Sequence, residues 1–288
     1  MTRSLAVEAQ SKVNLVLEVL GRRDTYHDIL SIAQTINLHD MLTFEEDDEI
    51  VLTCNQPFLA EDNLVIKAAY LLKERARVEA GVRIHLDKRI PWGAGLGGGS
   101  SDAAATLSAL NTLWECGLAR EELAFLGAEL GSDVPLFLLG GTVLLEGRGD
   151  VVSALPQMKK THLVLIIPRS VGVPGKTAAL YSRLDPTLFT KGQFSRAALF
   201  ALERRGAIPQ DLMFNAFESV AFAFFPGLWV DYQDFSDVAG QRVHLAGSGP
   251  CLYALCGDAE EALALEEHLR SVGHDARMAH TTGQRVAT

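Results

Sequence analysis

Nowhere do the 288 residues offer the roughly 20 uninterrupted apolar positions that a membrane helix needs, so no membrane partner is expected. Residues 1–20 contain no apolar run closing on a small-residue cleavage site and no Arg-rich, acid-poor stretch. Glu8 also stands early among them, which argues against a leader or transit segment. Basic charge is in short supply: 26 Lys and Arg face 36 Asp and Glu, a net charge of −10. That balance excludes a general nucleic-acid binder, which carries a basic face, yet leaves room for a local basic pocket. Cysteine is scarce as well. Cys54, Cys116, Cys251 and Cys256 make no CxxC pair, and no histidines are spaced for zinc. Scattered cysteines of this kind are expected as reduced thiols in a cytoplasmic protein. Internal repeats and low-complexity tracts are missing too. What is there is a globular balance, 48% hydrophobic and 22% charged, in a chain long enough for two domains.

Alternation of apolar and polar residues predicts a strand over 5–19 and further strands over 29–36, 41–45 and 49–54. Asp62 and Asn63 open an apolar-periodic stretch, 64–80, that Gly81 closes, as in a helix capped at both ends. A strand over 82–86 leads into a loop over 91–100, then helices over 103–114 and 120–130 and a short strand over 143–146. The stretch 150–161 lacks periodicity and contains Pro156, so a domain boundary is expected there, dividing the chain into 1–155 and 156–288. The second part restarts with a buried strand over 163–167, helices over 176–184 and 195–205, and an apolar stretch, 214–225, that builds core. Strands over 243–246 and 252–256 around a Gly-Ser-Gly turn, a helix over 259–272 and a strand over 275–279 complete it. That order suggests an α+β sandwich of the ferredoxin-like kind.

The most informative segment is Pro91-Trp92-Gly93-Ala94-Gly95-Leu96-Gly97-Gly98-Gly99-Ser100-Ser101-Asp102, between a predicted strand and a predicted helix. Five of the seven residues over 93–99 are glycine, a run so unfavourable in backbone entropy that it needs a reason. Without Cβ atoms the backbone can turn its N–H groups toward a ligand, and the following helix adds free N–H groups and the positive end of its dipole. Together these make a site for phosphate oxygens. A plain turn, with Ser100, Ser101 or Asp102 as a helix cap, would need only one or two glycines. Gly93, Gly95 and Gly98 also satisfy GxGxxG. A second helix follows, however, where a dinucleotide fold would place a strand ending in an acid, and no GK[ST] closes the loop as in P-loop NTPases.

These residues resemble the phosphate loop of the GHMP kinase superfamily, P-x-x-x-G-L-G-x-S-S. The longer stretch from Gly95 to Ala104 is similar to one branch, the kinases of a cytidine-diphosphate-linked methylerythritol in the non-mevalonate isoprenoid pathway. The resemblance runs through most of the chain. Lys12-Val13-Asn14-Leu15 matches the family's lysine motif, with Gln10-Ser11 in place of the usual Pro-Ala. Tyr26-His27 matches a cytidine-contacting Gly-Tyr-His element, with Thr25 in place of Gly. The segment from Asn63 to Ala69 resembles the helix near adenine, and Gly131-Ser132-Asp133-Val134-Pro135 the motif of the catalytic aspartate. Gly147-Arg148-Gly149-Asp150 is similar to a Gly-x-Gly-Glu loop, and Gly247-Ser248-Gly249-Pro250-Cys251 to the third family motif, with Pro250 where Ala is common. The fold so implied is α+β in two domains, a ribosomal-protein-S5-domain-2-like N-terminal one and a ferredoxin-like C-terminal GHMP kinase domain, with the active site between them. The activity implied is phosphorylation of an alcohol, the substrate's 2-hydroxyl, by ATP with Mg²⁺.

The resemblance also implies roles. Asp133 takes the hydroxyl proton, and Lys12, which by strand alternation shares a face with Asn14, holds Asp133 ionised. The reverse assignment, Lys12 dominant and Asp133 its orienter, stays open. Pro91, Gly93, Ala94, Gly95, Leu96, Gly97, Gly98, Gly99, Ser100 and Ser101 hold the ATP phosphates. Ser100 and Ser101 either ligate Mg²⁺ or a phosphate oxygen or cap the helix, and the other metal ligands are unassigned. Asp102 suits a cap better than a phosphate contact, since like charges repel. Asn63 and Lys88 are candidates for the nucleoside side of ATP. Asn14 helps place the acceptor, Tyr26 and His27 recognise its cytosine, and Tyr181 is a second aromatic wall. Gly247, Ser248 and Gly249 shape the cleft near the substrate phosphates. Two other functions remain open: a GHMP kinase for mevalonate, homoserine or a sugar, and a catalytically silent nucleotide-binding module. Tyr26 and His27 count against the first, because those acceptors have no base to stack. Intact Lys12 and Asp133 count against the second. The residues are compatible with a monomer and with a homodimer.

Overall fold

The computed structural model describes residues 3–24, 26–56, 63–173, 175–240 and 243–284; Thr25 and Asp62, both singled out in the sequence, lie outside them. The chain opens with a long hairpin. β1 (Ser4–Arg23) and β2 (Tyr26–Asp47) pair antiparallel from Ser4↔Glu45 to Arg23↔Tyr26. Here the separate strands expected over 29–36 and 41–45 merge into β2, because β1 pairs along both of them. The register slips once just ahead of Lys12: Gln10 pairs with His39 but Ser11 pairs with Ile36. Asn37 and Leu38 form a bulge, and Ser11 Oγ donates to the Leu38 carbonyl at 2.7 Å. Such a bulge bends a strand and re-aims the side chains after it.

β3 (Ile50–Cys54) leads to α1 (Leu64–Ala76), whose first turn is capped by Asn63 Oδ1 accepting from the Val65 N–H at 2.9 Å. The helix stops at Arg77 in left-handed geometry (φ 54°), short of the expected end at residue 80. β4 (Gly81–Asp87) lies between β3 and the far half of β2. α2 (Gly98–Leu113) starts inside the glycine run, earlier than the expected residue 103, with Gly97 at its N-cap (φ 76°). Ser100, Ser101 and Asp102 are therefore helical residues and none of them caps it, which corrects the capping alternatives. α3 (Arg120–Leu130) follows as expected. α4 (Val134–Leu139) is too short to show a period in sequence. β5 (Thr142–Gly147) pairs with β2, and β6 (Val151–Ala154) pairs with β5, although it falls in the stretch read as aperiodic.

The remaining elements are β7 (His162–Ile166), α5 (Lys176–Tyr181), α6 (Gln193–Arg205), β8 (Phe214–Asn215), α7 (Glu218–Phe224), α8 (Leu228–Ala239), β9 (His244–Leu245), β10 (Leu252–Cys256), α9 (Ala259–Ser271) and β11 (Ala276–His280). α8 has no counterpart among the expected elements; it buries only Leu228 and Phe235. Among the described residues the strands form two sheets. One has seven strands in the order β3-β4-β2-β1-β8, with β5 also on β2 and β6 on β5; the other has four, in the order β11-β7-β10-β9. The structure is thus mixed α and β.

The halves of the chain interlock. β8 joins the first sheet, parallel to β1 at Val16↔Phe214 and Leu17↔Asn215. One buried cluster joins Val13, Leu15 and Ile32 of the hairpin, Leu163 and Leu165 of β7, and Ala94 and Leu96 of the glycine loop. Glu18, fully buried in β1, accepts from the N–H of Ser195 at 2.8 Å at the start of α6, where an anion is favoured. After β11 the chain returns to the first sheet through a bridge from Thr281 to Ile36 and a bond from the Thr282 N–H to the Thr35 carbonyl at 2.9 Å. The centre of β1, with Lys12 and Asn14, sits where the two sheets meet. No helix among the described residues is long and apolar enough to cross a membrane.

Candidate active site

The glycine loop is held from two sides by backbone hydrogen bonds. The Lys12 N–H donates to the Leu96 carbonyl at 3.0 Å, and the Cys251 N–H to the Ala94 carbonyl at 3.1 Å. Two glycines are required by contact. A Cβ on Gly95 (φ 91°) would fall 2.6 Å from the Gly249 nitrogen, and one on Gly249 would fall 2.2 Å from the Ala94 carbonyl carbon. The 247–249 turn is thus wedged against the loop. The first N–H groups of α2 have no acceptor within the helix, and its first two residues, Gly98 and Gly99, are part of the loop. A cleft of ≈ 480 Å³ opens here, lined by Asn63, Leu64, Lys88, Ile90, Pro91, Trp92, residues 93–99 and Asp102.

Beneath the loop the Lys88 ammonium lies between two buried carboxylates, Asp40 and Asp102, 2.8 Å from Asp102 Oδ2. Asp40 also accepts from the N–H groups of Arg89 at 2.5 Å and Ile90 at 2.7 Å. Burial would lower the Lys88 ammonium, but the charges of Asp102 and Asp40 outweigh it and hold it above its ordinary value. Burial, only partly opposed by Lys88, pushes Asp102 up to about 7. Lys88, a candidate for the nucleoside side of ATP, therefore has its charge engaged under the loop and offers the cleft its stem.

Lys12 and Asn14 do share a face. Lys12 Nζ donates to Asn14 Oδ1 at 2.5 Å, Asn14 Nδ2 to Ser31 Oγ at 2.7 Å, and Ser31 Oγ to the Val16 carbonyl at 2.6 Å. The ammonium also stands 3.8 Å from Asp133 Oδ2. Asp133 precedes α4 but makes no side-chain cap bond to it, so its carboxylate is left to face Lys12 instead of closing the helix. Lys12 is buried whereas Asp133 is 37% exposed, which gives a substrate hydroxyl access to the carboxylate and not to the lysine stem.

The aromatic residues divide. His27 stacks on Tyr181, with ring centroids 4.7 Å apart, and Tyr181 meets Phe217 edge-on. Burial, then the Asp133 charge, pushes the Tyr181 phenol up to about 12. Burial, then Arg22, lowers the His27 imidazole. Tyr26 does not join them. Successive strand residues face opposite sides, and Tyr26 lines a separate cavity with Arg23, Asp28, Arg148 and Asp150. Treating Tyr26 and His27 as one recognition element missed this alternation. Ser248 is near the centre: its carbonyl accepts from Lys176 Nζ at 3.2 Å and its hydroxyl lies 2.9 Å from Thr177 Oγ1.

Two participants were missed in the sequence. Asp40 gave no signal, being one acid among several in the hairpin. Lys176 gave one: a cation in the first turn of a helix opposes the helix dipole.

A family model described as GHMP kinases N terminal domain matches residues 63–141, which include the glycine loop and Asp133. A 4-diphosphocytidyl-2-C-methyl-D-erythritol kinase of Dehalococcoides mccartyi is 42% identical over 281 residues, 97% of this chain and 99% of the relative. A crystal structure of 4-(cytidine 5'-diphospho)-2C-methyl-D-erythritol kinase superposes with a TM-score of 0.83 at 35% identity, covering 97% of this chain and 100% of that one. A homoserine kinase from Cytophaga hutchinsonii, at 20% identity and a TM-score of 0.75 over 99% and 96%, shares the fold. With near-complete overlap at that identity, the chain belongs to the 4-diphosphocytidyl-2-C-methyl-D-erythritol kinase family of the GHMP kinases.

Proposed function

We propose that this chain transfers the γ-phosphoryl group of ATP to the 2-hydroxyl of 4-diphosphocytidyl-2-C-methyl-D-erythritol, giving the 2-phosphate and ADP in the non-mevalonate isoprenoid pathway. The observation that carries the reading is the meeting of Lys12 and Asp133, 3.8 Å apart, beside a glycine loop built for phosphate. The loop's N–H groups and the start of α2 hold the nucleotide phosphates in line with the acceptor oxygen. Asp133 takes the hydroxyl proton. The freed oxygen bonds to the γ-phosphorus, and the bond from that phosphorus to the bridging oxygen breaks, its electron pair leaving with ADP. Lys12 stabilises the ionised carboxylate and the charge growing on the acceptor oxygen. His27 and Tyr181 take the cytosine, and Asn14 and the 247–249 turn position the rest of the acceptor.

The residues fit a magnesium ion carried by the nucleotide. Among the described residues no three His, Cys, Asp or Glu gather as a cage, and the hydroxyls at the loop are Ser100 and Ser101, of which Ser101 Oγ is buried with no partner there. Mg²⁺ commonly binds in this way, through phosphates and few protein ligands. When bound it neutralises charge on the β- and γ-phosphates. The reading includes a two-domain layout, an S5-like domain over 1–155 and a ferredoxin-like one over 156–288. It also includes a cytoplasmic setting, supported by four cysteines present as free thiols.

The test is ADP release with ATP and Mg²⁺, offering the cytidine substrate, mevalonate and homoserine in parallel. Turnover with the cytidine substrate alone supports the reading. Turnover with mevalonate or homoserine instead discards the cytidine pocket.

A further inference from the structure

Lys176 opens α5, and its ammonium is tied to the turn that wedges against the phosphate loop. The charged groups facing it come from two other elements: Lys12 from β1 and Asp133 from the turn before α4. From the 247–249 turn it meets only neutral Ser248, and Tyr181 on its own helix stays protonated. Two ammonium groups facing one carboxylate leave an excess positive charge at this spot. Burial, then the Lys12 charge, pulls the Lys176 ammonium down to about 8, with Asp133 opposing. A fold gains nothing from bringing two cations together, so the arrangement suits an anion that arrives with a ligand.

Position says which anion. Lys176 and Tyr181 are the two ends of α5, roughly 7.5 Å apart at the helical rise. Tyr181 carries the His27 stack, whereas Lys176 bonds the Ser248 carbonyl, and a Cβ on the adjacent Gly247 would fall 3.0 Å from Lys12 Nζ. In the acceptor named above, a diphosphate joins the base to the reacting polyol. We propose that Lys176 binds that diphosphate and is the residue by which the site prefers a nucleoside diphosphate ester over a small alcohol. The inference rests on the acceptor proposed above.

The pH dependence has a definite sign. A bound anion favours the ammonium and raises its pKa in the complex, so the gain in affinity is complete below about 8. It falls as pH rises through the higher value of the complex.

The experiment is calorimetric titration of the full chain with cytidine and with cytidine 5'-diphosphate, keeping ADP saturating so that the phosphate loop is filled. At about pH 7 the diphosphate is expected to bind roughly tenfold or more tighter than cytidine, the scale of one charge-assisted contact. Lys176→Met should remove that margin while leaving cytidine affinity unchanged, which also shows that the variant is folded. Lys176→Arg should keep the margin at high pH, where the wild type loses it. A diphosphate that binds no tighter than cytidine, or a Lys176→Met protein that keeps the margin, overturns the inference and leaves the cytidine pocket standing. Absence of binding by both ligands removes the acceptor reading, and the inference with it.

Discussion

The imidazole of His27 lies against the phenol ring of Tyr181 with planes only 15° from parallel. A cytosine entering here must take the place of one ring on the face of the other. Base–aromatic stacking contributes about 1–3 kcal/mol per base. Tyr181→Ala is expected to raise KM for the cytidine substrate about tenfold and to leave KM for ATP unchanged. Because His27 is held below its ordinary value by burial and Arg22, it stays neutral at neutral pH, and a ¹H NMR titration should show its transition shifted to lower pH.

In the proposed reaction Lys12 and Asp133 act on one proton. Asp133→Asn and Lys12→Met are each expected to lower kcat by about 10²-fold or more. The double variant should lose far less than the product of the two. Single-turnover rates with both substrates saturating give the comparison. Additive losses would separate the two roles.

Under the loop, one ammonium between two buried carboxylates leaves an excess negative charge. Asp102 is raised to about 7, so the folded state favours its protonated form. That contribution to stability is present at low pH and is lost as pH rises from the unfolded-state value through about 7. Asp102→Asn keeps the shape and removes the excess charge. Its thermal midpoint is expected to match or exceed the wild type at about pH 8 and to vary less with pH between about 4 and 8. Lys88→Met, which leaves both carboxylates unpaired, should be destabilised by about 3–5 kcal/mol.

Gly249→Ala would drive a Cβ into the backbone of Ala94. Overpacking of this sort costs about 1–3 kcal/mol. Because the displaced segment is the proposed phosphate loop, weaker ATP binding should accompany the lower melting temperature. Gly283→Ala, where an added Cβ meets nothing within 4 Å, is the control.

Trp92 is 45% exposed at the rim of the proposed nucleotide cleft. ATP is expected to change tryptophan fluorescence, and Trp92→Phe should abolish the change. Trp114, which donates to the Gly81 carbonyl, and Trp229, within the α7–α8 ring cluster, would then contribute a constant background.

The local chemistry of the site could be read from sequence wherever chemistry and spacing coincide in one segment. The glycine run announces its contacts because only missing Cβ atoms let Gly95 and Gly249 touch. Lys12 and Asn14 share a face because a strand repeats every two residues. The same periodicity, applied to Tyr26 and His27, would have separated them. Relations set by distant packing left no such trace. Asp40 acquires its role from Lys88 and Asp102, which the fold alone brings to it. β6 is a four-residue strand whose partner, β5, supplies its order. α2 starts early because glycine, a poor helix former, is stabilised there by packing: a Cβ on Gly98 would meet Ile90 and Lys88.

The parallel pairing of β1 with β8 bears on how the protein is born. A ribosome delivers β1 long before β8, its neighbour on that edge, and the stitch from Thr282 to Thr35 comes later still. During that interval the nascent hairpin presents one bare, apolar flank, with Lys12 among its residues. Contacts so distant in sequence form slowly, and open strand edges invite pairing with other chains. A product released before β8 emerges would therefore be an aggregation seed and not half an enzyme.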